Sequence, residues 1–94
     1  MALARVVTFD GVDDDRIANL KRTIEEGEQP ADLPATEIML LHDSDTQQAV
    51  AILFFDNEDD YRRGDATLDA MPSDDTPGTR RSVQKYTVAV RATR

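Results

Sequence analysis

The chain carries few side chains suited to chemistry, and they belong to no recognisable catalytic motif. His42 is the only histidine, and Asp43 and Asp45 follow it closely. A carboxylate can orient an imidazole so that it acts as a general base, and the same groups can share a metal ion. A histidine at a strand end is more often simply solvated, and Asp43-x-Asp45 alone makes a poor metal site. We therefore expect no metal site, and we assign no catalytic residue.

The other candidates for binding a ligand are two tyrosines and two adjacent pairs of arginines: Tyr61, Tyr86, Arg62-Arg63 and Arg80-Arg81. A tyrosine can line a cavity with its ring and offer its hydroxyl, although packing in the core is its commoner role. The arginines could bind an anion through forked hydrogen bonds, but surface ion pairs are the simpler interpretation in so acidic a chain. The sequence shows no glycine-rich nucleotide motif and no nucleophile elbow. We therefore expect no cofactor and no hydrolase triad.

Length and charge narrow the class of protein. The 94 residues are expected to form one domain, residues 1–94. A net charge of -8 disfavours nucleic acids and anionic membranes as partners, because phosphate groups require a basic surface. No apolar run approaches the ~18–20 residues of a membrane helix, and no secretory signal is visible. Together with the lack of cysteine, this composition favours a cytoplasmic protein.

Hydrophobic patterning predicts four strands and two helices in the order β-α-β-β-α-β. The strands are expected over 2–9, 36–42, 49–55 and 80–90, and the helices over 13–27 and 57–71. Loops are expected over 29–34 and 73–79, and Pro72 is expected to end the second helix. In the last strand, alternation predicts that Tyr86, Val88 and Val90 face the core.

Local signals place the helix ends. Asp13 is expected to cap the first helix, with Val12 and Ile17 packing across that cap as a hydrophobic staple. Gly27 is the expected end of the same helix. In the second helix Gly64 lies on the apolar face, where a glycine costs about 1 kcal/mol relative to alanine. We expect close approach of that helix to the sheet to compensate this cost.

The hairpin over residues 36–55 is apolar on both faces of each strand. In its first strand, Ile38 and Leu40 point to one side while Met39 and Leu41 point to the other. Such strands must be buried on both faces. The element order is that of the ferredoxin-like α+β fold, a four-stranded antiparallel sheet with both helices on one face. The other face of the sheet is then left uncovered.

The uncovered face predicts a homodimer. Soluble monomers rarely tolerate an exposed apolar patch of several hundred square ångströms. We expect a second copy to cover it in a two-fold dimer that closes a barrel-like interior. The interface candidates are Met39, Leu41, Leu53 and Phe55, although alternation alone does not say which apolar set faces the partner.

In its size, element order and central hairpin, the chain resembles the dimeric α+β barrel superfamily. Residues 54–65 are similar to the antibiotic biosynthesis monooxygenase family, because a strand ends in aromatics and an acidic helix start leads to another aromatic residue. The resemblance implies a ligand cavity between helices and sheet and, as one activity, cofactor-free oxygenation of phenols or quinols. The oxygenases and the haem-degrading members of this family often use tryptophan, and the chain has none. The haem-degrading members also place a histidine on the second helix, where this chain has none. The pocket candidates are Phe9, His42, Phe54, Tyr61 and Tyr86.

Two hypotheses about function remain open. The first is a dimeric barrel that binds a small hydrophobic or aromatic ligand between helices and sheet, as a monooxygenase-like enzyme if it is an enzyme. The second is a non-catalytic dimer that serves as a structural or protein-interaction module. A filled interior with no polar group pointing inward would favour the second hypothesis.

Overall fold

The sheet has four strands in the spatial order β2-β3-β1-β4, and every neighbouring pair is antiparallel. The computed structural model describes residues 2–27, 33–70 and 78–93. Its elements are β1 (Leu3–Asp10), α1 (Asp14–Glu26), β2 (Glu37–Asp43), β3 (Gln48–Phe55), α2 (Glu58–Asp69) and β4 (Thr79–Thr87). The predicted α+β, ferredoxin-like fold is therefore confirmed. Met71 and Pro72, and most of both predicted loops, lie outside the described residues.

The first helix begins and ends where its local signals predict. The Asp13 carboxylate accepts a hydrogen bond from the Arg16 amide at 2.8 Å, and the Gly27 amide donates to the Thr23 carbonyl at 2.8 Å. Val12 is fully buried, and Ile17 packs against the same cluster. No residue within α1 itself is buried. The helix is thus held to the sheet near its first turn, and its apolar stripe is less covered further along.

The second helix lies close to the sheet through Gly64, as expected. Asn57 caps it by accepting from the Asp60 amide at 2.8 Å. A Cβ atom on Gly64 would stand 2.6 Å from the Phe55 Cζ, so only glycine fits at this distance without movement of the ring. Tyr61 lies edge-on to Phe55 with ring centroids 5.4 Å apart. No helix in the described part of the chain is long and apolar enough to cross a bilayer.

The strand register shows which apolar set lies on which face. Met39 pairs with Ile52, so odd-numbered residues of β2 share a face with even-numbered residues of β3. Leu53 and Phe55 therefore lie on the helix face, where both are buried in the core. The prediction that they belong to the interface is wrong, whereas Met39 and Leu41 do lie on the uncovered face. The error arose because alternation within each strand leaves the pairing between strands undetermined.

The last strand has the opposite orientation to the predicted one. Tyr86 pairs with Ala4, which places it on the uncovered face, where it is exposed. Val83 pairs with Val7 and faces the helices instead. Val88 and Val90 follow the end of the strand, and Val90 is exposed. The prediction that Tyr86, Val88 and Val90 face the core is therefore wrong, because β4 is an edge strand whose alternation does not mark a buried side.

Candidate functional site

The five predicted pocket residues are not brought together by the fold. Phe9 and His42 lie at one end of the helix face, next to Val12. Tyr61 lies in a separate core cluster beneath α2. Phe54 and Tyr86 lie on the opposite, uncovered face, since both pair with Ala4 of β1. No single cavity is therefore formed by these five side chains.

His42 lies under the start of α1. It is largely shielded from water, whereas the sequence favoured a solvated histidine. Its Nε2 atom lies 2.8 Å from the Val12 carbonyl oxygen, which can only accept, so Nε2 carries a proton and donates it. Its Nδ1 atom is 3.9 Å from the Asp14 carboxylate. Asp43 instead accepts the Asp45 amide at 3.0 Å and stabilises the hairpin turn. The carboxylate near His42 therefore comes from α1, and not from the neighbouring aspartates in sequence.

A polar cleft of about 250 Å³ opens beside this histidine. It is lined by Asp13, Asp14, Asp15, Ser44 and Gln47. The Ser44 hydroxyl donates to the Asp14 carboxylate at 3.1 Å. Within the described ranges, no group of three or more histidine, aspartate or glutamate side chains has the arrangement needed to hold a metal ion. The described contacts tie the hairpin turn to α1.

A charged cluster centred on the buried Arg5 lies between α2 and the sheet, and it was not predicted. Arg5 is the buried charged residue of β1, on the helix face. Its Nε atom donates to Asp65 at 2.8 Å and its Nη2 atom to Asp69 at 3.1 Å. Asp69 also accepts from Arg80 at 2.9 Å. One guanidinium therefore connects the centre of the sheet to the second half of α2, and two arginines share one carboxylate.

The first half of α2 is connected to β4 by a second part of this cluster. Lys85, which pairs with Arg5 in register, donates to Glu58 and lies 4.9 Å from the centroid of the Tyr61 ring. The hydrogen bond from Lys85 lowers the pKa of the Glu58 carboxyl. Burial raises the pKa of the Tyr61 phenol, and the nearby Asp65 carboxylate raises it further. Each cation here already has a carboxylate partner, so the described contacts serve to hold α2 in place.

A signal for this cluster was present in the sequence. Leu3, Val7 and Phe9 occupy inward positions of β1, and Arg5 occupies the inward position between the first two. A charged residue is almost never fully buried unless it is paired. An arginine at such a position therefore predicts carboxylate partners on the helix packed above it, which the acid-rich second helix supplies.

The uncovered sheet face presents apolar side chains in rows across the strands. Its two central rows, each running across all four strands, are Met39-Ile52-Val6-Gln84 and Leu41-Val50-Thr8-Ser82. Neither row contains a charged residue. Met39 is 40% and Leu41 is 48% exposed, although both belong to the centre of the hairpin. The apolar part of the face covers β2, β3 and β1, while β4 contributes polar side chains at its margin.

One end of this face is covered by the chain that follows β4. The row at this end is Glu37-Phe54-Ala4-Tyr86. The guanidinium carbon of Arg91 lies 4.3 Å from the centroid of the Phe54 ring, and the same guanidinium pairs with Glu37. Ala4, between the two aromatic residues, is buried. Arg91 thus neutralises the acidic residue of this row while it covers an aromatic one.

Comparisons with known proteins do not extend this description. A scan against models of protein families gave no match, and searches of curated proteins and of solved structures gave none. The ferredoxin-like fold therefore stands on the structure itself. The resemblance to the dimeric α+β barrel superfamily stays a prediction.

Proposed function

We propose that the protein works as a homodimer whose two copies pack through their uncovered sheet faces. The observation that supports this proposal is the pair of central rows, which are free of charge and leave Met39 and Leu41 exposed. Burial of such surface stabilises a complex by about 25 cal/mol per square ångström. A second copy is the simplest partner because a two-fold axis presents the same apolar rows to each other.

The charge distribution favours the same partner. Each copy carries a net charge of -8, so close approach of two copies is unfavourable unless the contact surfaces are neutral. The central rows meet this condition, and Glu37 at the end of the face is paired with Arg91. Most acidic side chains would remain in solvent at the periphery. Nucleic acids and anionic membranes stay unfavourable partners for the same reason. Composition alone supports a cytoplasmic location.

The experiment compares the native chain with Met39→Asp by sedimentation velocity across a concentration series. We expect a dimer at micromolar concentration, and we expect Met39→Asp to weaken it at least ~100-fold, because a charge would enter an apolar contact. Ile24→Asp is the matched control, because Ile24 is a comparably exposed apolar residue on α1, on the other side of the sheet. A native chain that is monomeric throughout the series would remove the proposal.

A second candidate is a small aromatic ligand bound between the helices and the sheet. The observation in its favour is the Tyr61 phenol, which lies beneath α2 near Arg5 and Lys85, while α1 leaves its own apolar stripe unburied. A cofactor-free oxygenase requires such a desolvated, orienting environment for an oxidisable substrate. This candidate would also account for the resemblance to the antibiotic biosynthesis monooxygenases.

The test is a panel of phenols and hydroquinones, with melting temperature and oxygen uptake as readouts. Ligand binding would raise the melting temperature of the native chain and of Tyr86→Phe, whose changed hydroxyl is on the uncovered face. It would raise that of Tyr61→Phe less. The absence of both a shift and oxygen uptake across the panel would rule out this candidate for the compounds tested and favour the non-catalytic dimer.

A further inference from the structure

We infer that residues 88–93, which follow β4, form a wall of the dimer interface, with Arg91 fixing this segment to the sheet and Val90 packing against the second copy. The inference rests on the dimer proposed above and identifies a part of the interface that lies outside the sheet. The two neighbouring residues Val90 and Arg91 have different roles. Arg91 acts within its own chain, and Val90 acts between chains.

The anchoring of the segment is visible in three contacts. The Val88 amide donates to the Ala2 carbonyl at 3.0 Å, which extends the pairing of β4 with β1 by one step. The Arg91 guanidinium then lies over the Phe54 ring and pairs with Glu37. These two residues face each other across β3 and β2. The segment therefore contacts the start of β1, the end of β3 and the start of β2, which all lie at the same end of the uncovered face.

Val90 lies between these anchors and does not take part in them. It is 83% exposed, the largest value among the exposed large apolar residues of the described chain. Its neighbour Arg91 contacts the sheet, so the segment holds its arginine against the face and leaves its valine in solvent. Within residues 2–27, 33–70 and 78–93, six large apolar residues are exposed, and four of them lie on this face or beside it, namely Met39, Leu41, Tyr86 and Val90. The exposed apolar surface therefore continues from the sheet onto the segment.

The size of the sheet face gives an independent reason for including the segment. Four strands spaced ~4.8 Å apart and about eight residues long present roughly 500 Å² of flat surface. A stable interface of standard size buries about 800 Å² on each partner. The flat area of the sheet face is thus smaller than the accessible area that each partner buries in a standard interface. Residues beside the face would enlarge the contact, and the segment at its Glu37 end carries the most exposed large apolar side chain among the described residues.

Charge supports the same arrangement. A free Glu37 at the rim would face the acidic surface of a second copy, because each copy carries a net charge of -8. The pairing with Arg91 removes this repulsion at the point where the segment meets the sheet. Loss of Arg91 would therefore release the segment and at the same time expose an acidic group at the rim.

The experiment measures the dimer dissociation constant of Val90→Asp and Arg91→Gln by sedimentation velocity. We expect an increase of at least ~10-fold for Val90→Asp and a smaller increase for Arg91→Gln. The matched controls are Ile24→Asp and Arg62→Gln, which make the same chemical changes on exposed residues of α1 and α2 and should stay within ~2-fold of the native value. Hydrogen exchange supplies a second readout. Amides of residues 89–93 should be better protected above the dissociation constant than below it.

The outcomes separate this inference from the proposal beneath it. A monomeric native chain would overturn both. A native dimer that Met39→Asp disrupts and Val90→Asp leaves unchanged, without added protection of residues 89–93, would overturn the inference alone. A dimer weakened by Val90→Asp and by the Ile24→Asp control alike would show a general effect of added negative charge, and it would also overturn the role of this segment.

Discussion

Replacement of Arg5 by methionine tests whether the charged cluster centred on this buried residue holds α2 on the sheet. The change removes a hydrogen bond of 2.8 Å to Asp65 and one of 3.1 Å to Asp69, and it keeps an unbranched side chain of similar length in the core. Hydrogen bonds to charged groups contribute roughly 1.5–3 kcal/mol each. Their simple sum would be about 3–6 kcal/mol.

Two features of the structure reduce the expected loss. Asp65 and Asp69 are 37% and 50% exposed, so both carboxylates regain water when Arg5 is removed, and Asp69 keeps Arg80 as a partner. The buried guanidinium also carries a desolvation penalty that methionine does not have. We therefore expect Arg5→Met to lower the free energy of unfolding by about 1–3 kcal/mol. In that background, Asp65→Asn should change stability by less than about 0.5 kcal/mol, because its partner is gone.

The assay is urea unfolding followed by far-ultraviolet circular dichroism at pH 7 and one fixed protein concentration. The matched control is Arg62→Met, which breaks an exposed arginine–glutamate pair on the same helix and should cost less than about 0.5 kcal/mol. The reasoning would be refuted if Arg5→Met were as stable as the native chain. It would also be refuted if Arg5→Met and Arg62→Met lost the same free energy of unfolding, because burial would then add nothing to the effect of the Arg5 ion pairs.

Two further predictions concern how α2 is seated. Gly64→Ala should lower the free energy of unfolding, measured in urea, by about 1–2 kcal/mol, because overpacking against the Phe55 ring exceeds the gain of about 1 kcal/mol in helix propensity. Ala66→Gly on the exposed face of the same helix is the control that measures the propensity effect alone. A Gly64→Ala variant more stable than the native chain would show that the Phe55 ring moves aside at little cost. Lys85→Met should flatten the fall of stability in acid. Lys85 holds the pKa of Glu58 below its ordinary value of 4.5, so this contribution is present above that value and is lost as pH falls through the lowered pKa. Parallel urea midpoints for the native chain and the variant between pH 6 and pH 3 would contradict it.

Both ends of α1, the start of α2 and the element order were predictable because their causes are local. Asp13, Gly27 and the acid-rich start of α2 act on backbone groups within one helical turn, and the structure confirms each of them. The glycine at position 64 also predicted a close contact, since alanine would be favoured at an exposed helix position. The identity of the element touching it, Phe55, required the fold.

The sequence by itself determined the ferredoxin-like arrangement and the existence of one surplus apolar face. Only the tertiary structure decided that Met39 and Leu41, and not Leu53 and Phe55, lie on that face. The physical reason is that a strand alternates with a period of two and looks the same when turned over. The register between β2 and β3 is set by the turn that joins them. The last residue of this turn, Gln47, takes a left-handed conformation with φ 57°. Some contacts join residues far apart in the chain, such as those of Arg5 with α2 and of Arg91 with the uncovered face. They form only when the strands have paired in this register.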